Sequence, residues 1–153
     1  MYLAQCVEQA IYLNLVFFDL YPKAGTTIRS KKEWFEAYEA YEERELRKTM
    51  GRLIQKLKEK GKSTGSVEAK LDECLTKRNW LAHSYFPDRG VDLTYESGRE
   101  KMIRELEGTQ ALFRDTDQEI TKLTEPVMQS YGLTEEKLQK LMHELQTEHR
   151  SKR

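Results

Sequence analysis

Arg78, Asn79, His83 and Tyr85 share one eight-residue stretch, RNWLAHSY, in which polar groups interrupt Trp80, Leu81 and Ala82 where a helix would be packing a core face. Each residue type brings its own chemistry. An imidazole titrates near neutral pH, and a helix C-terminus favours its protonated form, so His83 suits general acid or base duty. A guanidinium grips a phosphate through two parallel hydrogen bonds, which suits Arg78. Asn79 lies four residues from His83, so its amide can orient the imidazole or contact the same ligand. The same residues also admit structural duties: Arg snorkels, His caps a helix C-terminus, and Tyr packs with its hydroxyl outward.

Ideal helical geometry divides the cluster. At about 100° per residue, Arg78 continues the stripe of Leu71, Cys74 and Leu75, which aims its guanidinium at a core or an interface, and Tyr85 returns to nearly the same direction. His83 points about 140° away. One regular helix does not bring Arg78 and His83 together, whereas a distorted helix end or a second copy across a two-fold axis would. Lys77 and Arg89 add local positive charge, and Asp88 and Asp92 dilute it. Trp80, among Leu and Ala, fits a core or dimer-interface position better than a base-stacking one.

The elements that must position this cluster read as helices. The first runs from Tyr2 to about Leu20, with Leu3, Val7, Ala10, Ile11, Asn14, Phe17 and Phe18 at helical spacing, and Pro22 with Gly25 stops it. A second, continuous from about Ser30 to Lys60, repeats Trp34, Tyr38, Tyr41 and then Met50, Leu53, Ile54, Leu57; Gly51 inside it implies a close helix crossing. The polar connector GKSTGS leads to Ser66 as N-cap of a third helix through Val67, Leu71, Cys74 and Leu75 into the cluster. Pro87 ends that helix by Phe86, and PDRG reads as a tight turn.

A fourth helix spans about Tyr95 to Gln129, with Ile103, Leu106, Gln110, Phe113, Ile120 and Val127 on one side. Gly132 ends it, and Thr134 caps a last helix with a Leu138/Leu141/Leu145 stripe and a basic tail. No strand-like alternation competes. The expectation is an all-α bundle of four or five helices in a single domain over 1–153, of which 132–153 is the C-terminal helix and tail.

Composition narrows the function classes. Charged residues make up 34% and hydrophobic residues 38%, a globular balance with heavily charged helix faces. Lys and Arg (26) equal Asp and Glu (26), so any nucleic-acid contact must be local. The apolar run IYLNLVFF is shorter than the ~20 residues of a membrane span and lacks signal-peptide features, which points to a cytoplasmic protein with no membrane partner. Cys6 and Cys74 read as buried thiols in a reducing compartment. No nucleotide-binding, zinc-protease or serine-hydrolase motif is present, and His83, His143 and His149 have no metal-ligand spacing, so neither a cofactor nor a metal is expected. EERELRK forms a solvated helix face.

Arg, four residues, His, one residue, Tyr, at a helix end within a small all-helical domain, resembles the HEPN superfamily, in particular the HepT-like toxins with the motif Arg-x4-His-x-Tyr. Arg78, His83 and Tyr85 match the three motif positions, and Asn79 matches the polar residue often found after the arginine. TMGRLIQKL, Thr49 to Leu57, is similar to the second-helix segment of such domains. The resemblance implies a metal-independent endoribonuclease built as a symmetric homodimer, acting on RNA and not DNA, the toxin of a toxin–antitoxin or phage-defence system. Arg78, Asn79 and His83 would be catalytic, Lys77 and Arg89 would bind RNA, and Tyr85 would be the target of AMP transfer by a cognate nucleotidyltransferase antitoxin. A catalytically silent HEPN module that binds a nucleotide or a partner protein through the same surface is the alternative, since this fold also occurs without activity.

Overall fold

The computed structural model describes residues 1–151, without the side chains of Leu46 and of 141–142, 145–146 and 148–151. Among the described residues there are seven α-helices and no strand: α1 (Tyr2–Asp19), α2 (Lys31–Leu46), α3 (Met50–Glu59), α4 (Gly65–His83), α5 (Tyr85–Asp88), α6 (Glu96–Ser130) and α7 (Glu135–Ser151). Single 3-10 turns occupy Tyr21–Lys23 and Asp92–Thr94. The all-α expectation holds, with more helices than the four or five read from periodicity.

Helix α1 is the central element. Its Val7, Ile11 and Leu15 are fully covered, by Phe113 and Ile120 of α6, by Leu53, Ile54 and Leu57 of α3, and by Val67, Leu71 and Cys74 of α4 within one core cluster. Each fully buried aliphatic or Phe side chain contributes about 1.5–3 kcal/mol. One polar staple runs through this core: buried Asn14 donates from Nδ2 to the carbonyls of Ala10 and of Ile120, both at 3.1 Å, tying α1 to α6.

The segment read as one helix from Ser30 to Lys60 is two. Ser30 caps α2 as its sequence position implies, its Oγ accepting from Glu33 N at 3.2 Å. The helix then stops at Leu46, and Thr49 takes an extended conformation to start α3. Tyr41 and Met50 are nine residues apart, which is about 180° of helical rotation. A continuous helix would have turned Met50, Leu53, Ile54 and Leu57 away from the side that Tyr41 faces. Breaking at 47–49 lets both stripes reach the core.

The corner this creates is ionic, and it corrects the expectation that EERELRK forms a solvated helix face, since Glu45 within it is buried and α2 ends at Leu46. Glu45, with 1% of its side chain exposed, is met by Arg44 Nε at 2.9 Å, Lys48 Nζ at 2.7 Å and Lys56 Nζ at 3.0 Å. Lys56 also reaches Asp19 at the end of α1 at 2.8 Å, and Tyr41 donates to the same carboxylate at 2.8 Å. Burial alone would push Glu45 up, but the hydrogen bonds from Lys48, Lys56 and Arg44 outweigh it and hold the carboxyl at about 2.

Two further expectations are corrected. Thr64, not Ser66, caps α4, its Oγ1 accepting from Val67 N at 3.4 Å. The inward face of α6 is Gly98, Met102, Thr109, Phe113, Thr116, Ile120 and Thr124, while Ile103 is 55% exposed. Thr109, Thr116 and Thr124 donate their hydroxyls to the carbonyls of Glu105, Leu112 and Ile120, so each turns a methyl to the core with its polar atom satisfied. Gly51 does sit at a close crossing, where a Cβ would lie 3.3 Å from Leu75 Cδ2 of α4. Gly132 ends α6 at φ 71°, and Thr134 caps α7 by accepting from Lys137 N. The side chains of Leu141, Leu145 and His149 and the tail at 152–153 lie outside the described residues.

Candidate functional site

Pro87 shapes the end of α4. A continued helix would need a Pro87 N–H to reach the His83 carbonyl, and the pyrrolidine ring would collide with that carbonyl. The chain instead breaks at Ser84 (φ −127°, ψ −20°) and restarts as α5, which places Pro87 in a first turn where no N–H is required. Ser84 closes α4 by donating its N–H to Trp80 O at 2.9 Å and opens α5 by accepting from Asp88 N at 2.8 Å.

The break separates residues that an ideal helix would align. Arg78 turns to α1, where its Nε lies 3.9 Å from Glu8 Oε1, and its Nη1 donates to Asn79 Oδ1 at 3.1 Å. Its side chain keeps 34% exposure. Tyr85 does not follow that stripe. It is 2% exposed, and its hydroxyl donates to the Met102 carbonyl of α6 at 3.1 Å. Burial pushes this phenol above its usual range. His83 is exposed at the last position of α4, and Asn79, whose carbonyl is occupied by Arg78, is exposed one turn earlier.

The two residues expected to bind RNA are engaged within the chain. Arg89 forms a two-pronged pair with Glu105 of α6, Nε to Oε2 and Nη2 to Oε1, both at 2.8 Å. Lys77 Nζ stands 5.2 Å from the centre of the Trp80 ring, and the Arg89 guanidinium stands 5.4 Å from it. Trp80 is half-buried, neither core nor open stacking platform: its Nε1 donates to Asp88 Oδ2 at 2.9 Å, and its ring meets that of Tyr85 edge-on at 4.8 Å. Asp92, 3.7 Å from Arg89, also accepts from Tyr95 OH at 2.7 Å and from Lys101 at 3.1 Å.

Protein-family models, curated proteins and solved structures show no match to the chain. The site therefore has to be read from its own geometry. Glu8, Glu105 and the Met102 carbonyl belong to it and escaped the sequence reading, because they lie 70, 16 and 17 residues from their partners Arg78, Arg89 and Tyr85. Nothing in local spacing marks them. Among the described residues, no three His, Cys, Asp or Glu side chains are grouped as metal ligands, and no helix is long and apolar enough to cross a membrane.

As it stands, the end of α4 offers an exposed imidazole and a partly exposed arginine side chain held by Asn79 Oδ1 and by a long contact to one carboxylate. These groups can exchange a proton and bind an oxyanion.

Proposed function

We propose that the chain is a HEPN-like, metal-independent endoribonuclease that acts as a symmetric homodimer, the toxin of a toxin–antitoxin or phage-defence system. The observation that supports this most is that one helix end carries both an exposed His83 and a partly exposed Arg78. In this reading, one imidazole takes the proton of a ribose 2′-OH, whose oxygen attacks the adjacent phosphorus. The 5′-oxygen leaves with a proton from a second imidazole, and the product is a 2′,3′-cyclic phosphate. Arg78 holds the charged phosphorane, with Asn79 beside it. Each motif supplies one imidazole, so the second comes from the other copy across the two-fold axis.

AMP transfer to Tyr85 by a cognate nucleotidyltransferase would require α5 to swing away from α6, because the acceptor hydroxyl is buried on Met102. An adenylate held outside the core would then place negative charge near Arg78 and repel RNA.

The test is cleavage of end-labelled total RNA and tRNA in EDTA by the purified chain. Wild type is expected to leave cyclic phosphate ends, and the Arg78→Ala/His83→Ala double variant to lose about 1,000-fold or more of the rate while melting as wild type does. Intact RNA with wild-type protein defeats the proposal. Intact mass after co-expression with a nucleotidyltransferase encoded beside the chain tests Tyr85: an added AMP that survives in Tyr85→Phe removes that residue from the scheme.

One observation favours the silent module that binds a nucleotide or a partner protein. Both arginines of the cluster already face carboxylates, Arg78 with Glu8 and Arg89 with Glu105. Under that reading, the double variant changes binding and no RNA is cut.

A further inference from the structure

A groove of about 1140 Å³ runs between α1 and the second half of α6. Its walls are two stripes at helical spacing, Tyr2, Cys6, Leu13 and Phe17 from α1, and Asp117, Thr121, Thr124 and Met128 from α6. Leu133 and Leu138, flanking the start of α7, close one end. Tyr2 is 75% and Leu13 47% exposed, so large apolar groups face solvent here. Cys6, expected to be buried, is only partly covered and lines this wall.

The charge of the groove is one-sided. Two carboxylates and, among the described residues, no Lys or Arg line it; Glu8 already lies 3.9 Å from Arg78 Nε, which leaves Asp117 as its one uncompensated acid among the described residues. Asp117 is partly buried, makes no ion pair among the described residues, and has its carboxyl pushed up by burial. Asp117 therefore sets the charge of a trough whose other walls are apolar or neutral and polar, apart from the Glu8 already facing Arg78. Its acidity disfavours nucleic acid, and its two helical walls have the form that receives a third helix.

We infer that this groove is a docking site for a basic amphipathic helix of a partner protein, with apolar anchors against Leu13, Phe17 and Met128 and a Lys or Arg over Asp117. A carboxylate already stripped of part of its water gains more from an incoming cation than a solvated one does. Met128 adapts its shape to differing anchors. The groove shares Glu8 with the end of α4 but is lined by neither Arg78 nor His83, and its test does not require RNA.

The experiment uses the full purified chain and fluorescently labelled Leu/Lys peptides of about 18 residues, roughly 27 Å as a helix and as long as α1. Leucines are placed at i, i+3, i+4 and i+7. The expected result is saturable binding that weakens about 10-fold or more in Asp117→Asn and in Leu13→Asp, both melting near wild type. A Leu/Glu peptide of the same pattern and a composition-matched Leu/Lys peptide without helical periodicity are expected to bind about 10-fold more weakly or worse. Equal binding of all three peptides, or binding unchanged in both variants, overturns the inference. Sedimentation of the chain alone separates the other occupant: self-association abolished by Leu13→Asp, with no peptide bound, assigns the groove to a second copy and overturns the partner helix.

Discussion

The Tyr85 hydroxyl donates to the main-chain carbonyl of Met102 at 3.1 Å, and this bond fastens the turn after the motif helix to the longest helix of the molecule. It directs Tyr85 inward and leaves His83, two residues earlier, in solvent.

Tyr85→Phe removes that donor while the Met102 carbonyl retains its place in the α6 ladder. The expected cost is about 1 kcal/mol, a fall in Tm of roughly 2–4 °C by calorimetry. An unchanged Tm would show that the hydroxyl does not hold α5 in place.

Two glycines of α6 should respond in opposite directions. A Cβ on Gly98 would lie within 2.8 Å of Asp92 Cα and closer still to its carbonyl oxygen, whereas one on Gly108 meets nothing within 4 Å. Gly98→Ala should therefore destabilise by about 2 kcal/mol or more, since backbone must move, and Gly108→Ala should stabilise by about 0.5–1 kcal/mol. Urea melts of the two variants would check both signs.

Acid should loosen the α1–α2–α3 corner. The carboxyls of Glu45 and Asp19 are both held at about 2; at Asp19, hydrogen bonds from Lys56, Lys60 and Tyr41 outweigh the upward push of burial. A carboxyl whose folded pKa is depressed contributes stability that is fully present above its unfolded value and is lost as pH falls toward the folded one. The loss is expected between about pH 5 and pH 2, with about 2–3 kcal/mol from Glu45 alone. Glu45→Gln should flatten that part of the stability–pH curve, leaving Lys48 and Lys56 short of a counter-charge and lowering stability at pH 7.

Arg89 and Lys77 should separate in a nucleic-acid binding assay. Arg89 is already satisfied by both oxygens of Glu105, so Arg89→Ala should lower Tm and leave the salt dependence of any RNA binding unchanged. Lys77 has only the Trp80 ring over its ammonium, so Lys77→Ala should reduce the slope of log K against log salt by about one phosphate contact. Filter binding across a salt series would read both.

Much of the chain was legible because local rules govern it. The helix starts at Ser30 and Thr134, the stop at Gly132 and the buried Val7, Ala10, Ile11, Asn14 and Phe17 of α1 follow from capping chemistry and period alone, whereas Ala4, Tyr12, Leu15 and Val16, also buried, did not. The α2–α3 break was also present in the sequence, as the half-turn phase jump between Tyr41 and Met50, but a pattern of apolar residues without its phase reads as one helix. The face of α6 was misread because threonine counts as polar until its hydroxyl is given to the carbonyl four residues back.

The sequence by itself determined that the chain is helical, that charge is balanced, and that Arg78, Asn79, His83 and Tyr85 lie near one helix end, since these depend on neighbours within a few turns. Only the tertiary structure decided where each of them faces. Glu8, Met102 and Glu105 reach the cluster from helices distant in the chain, and it is packing against α1 and α6 that sends Arg78 one way, Tyr85 another, and leaves His83 free.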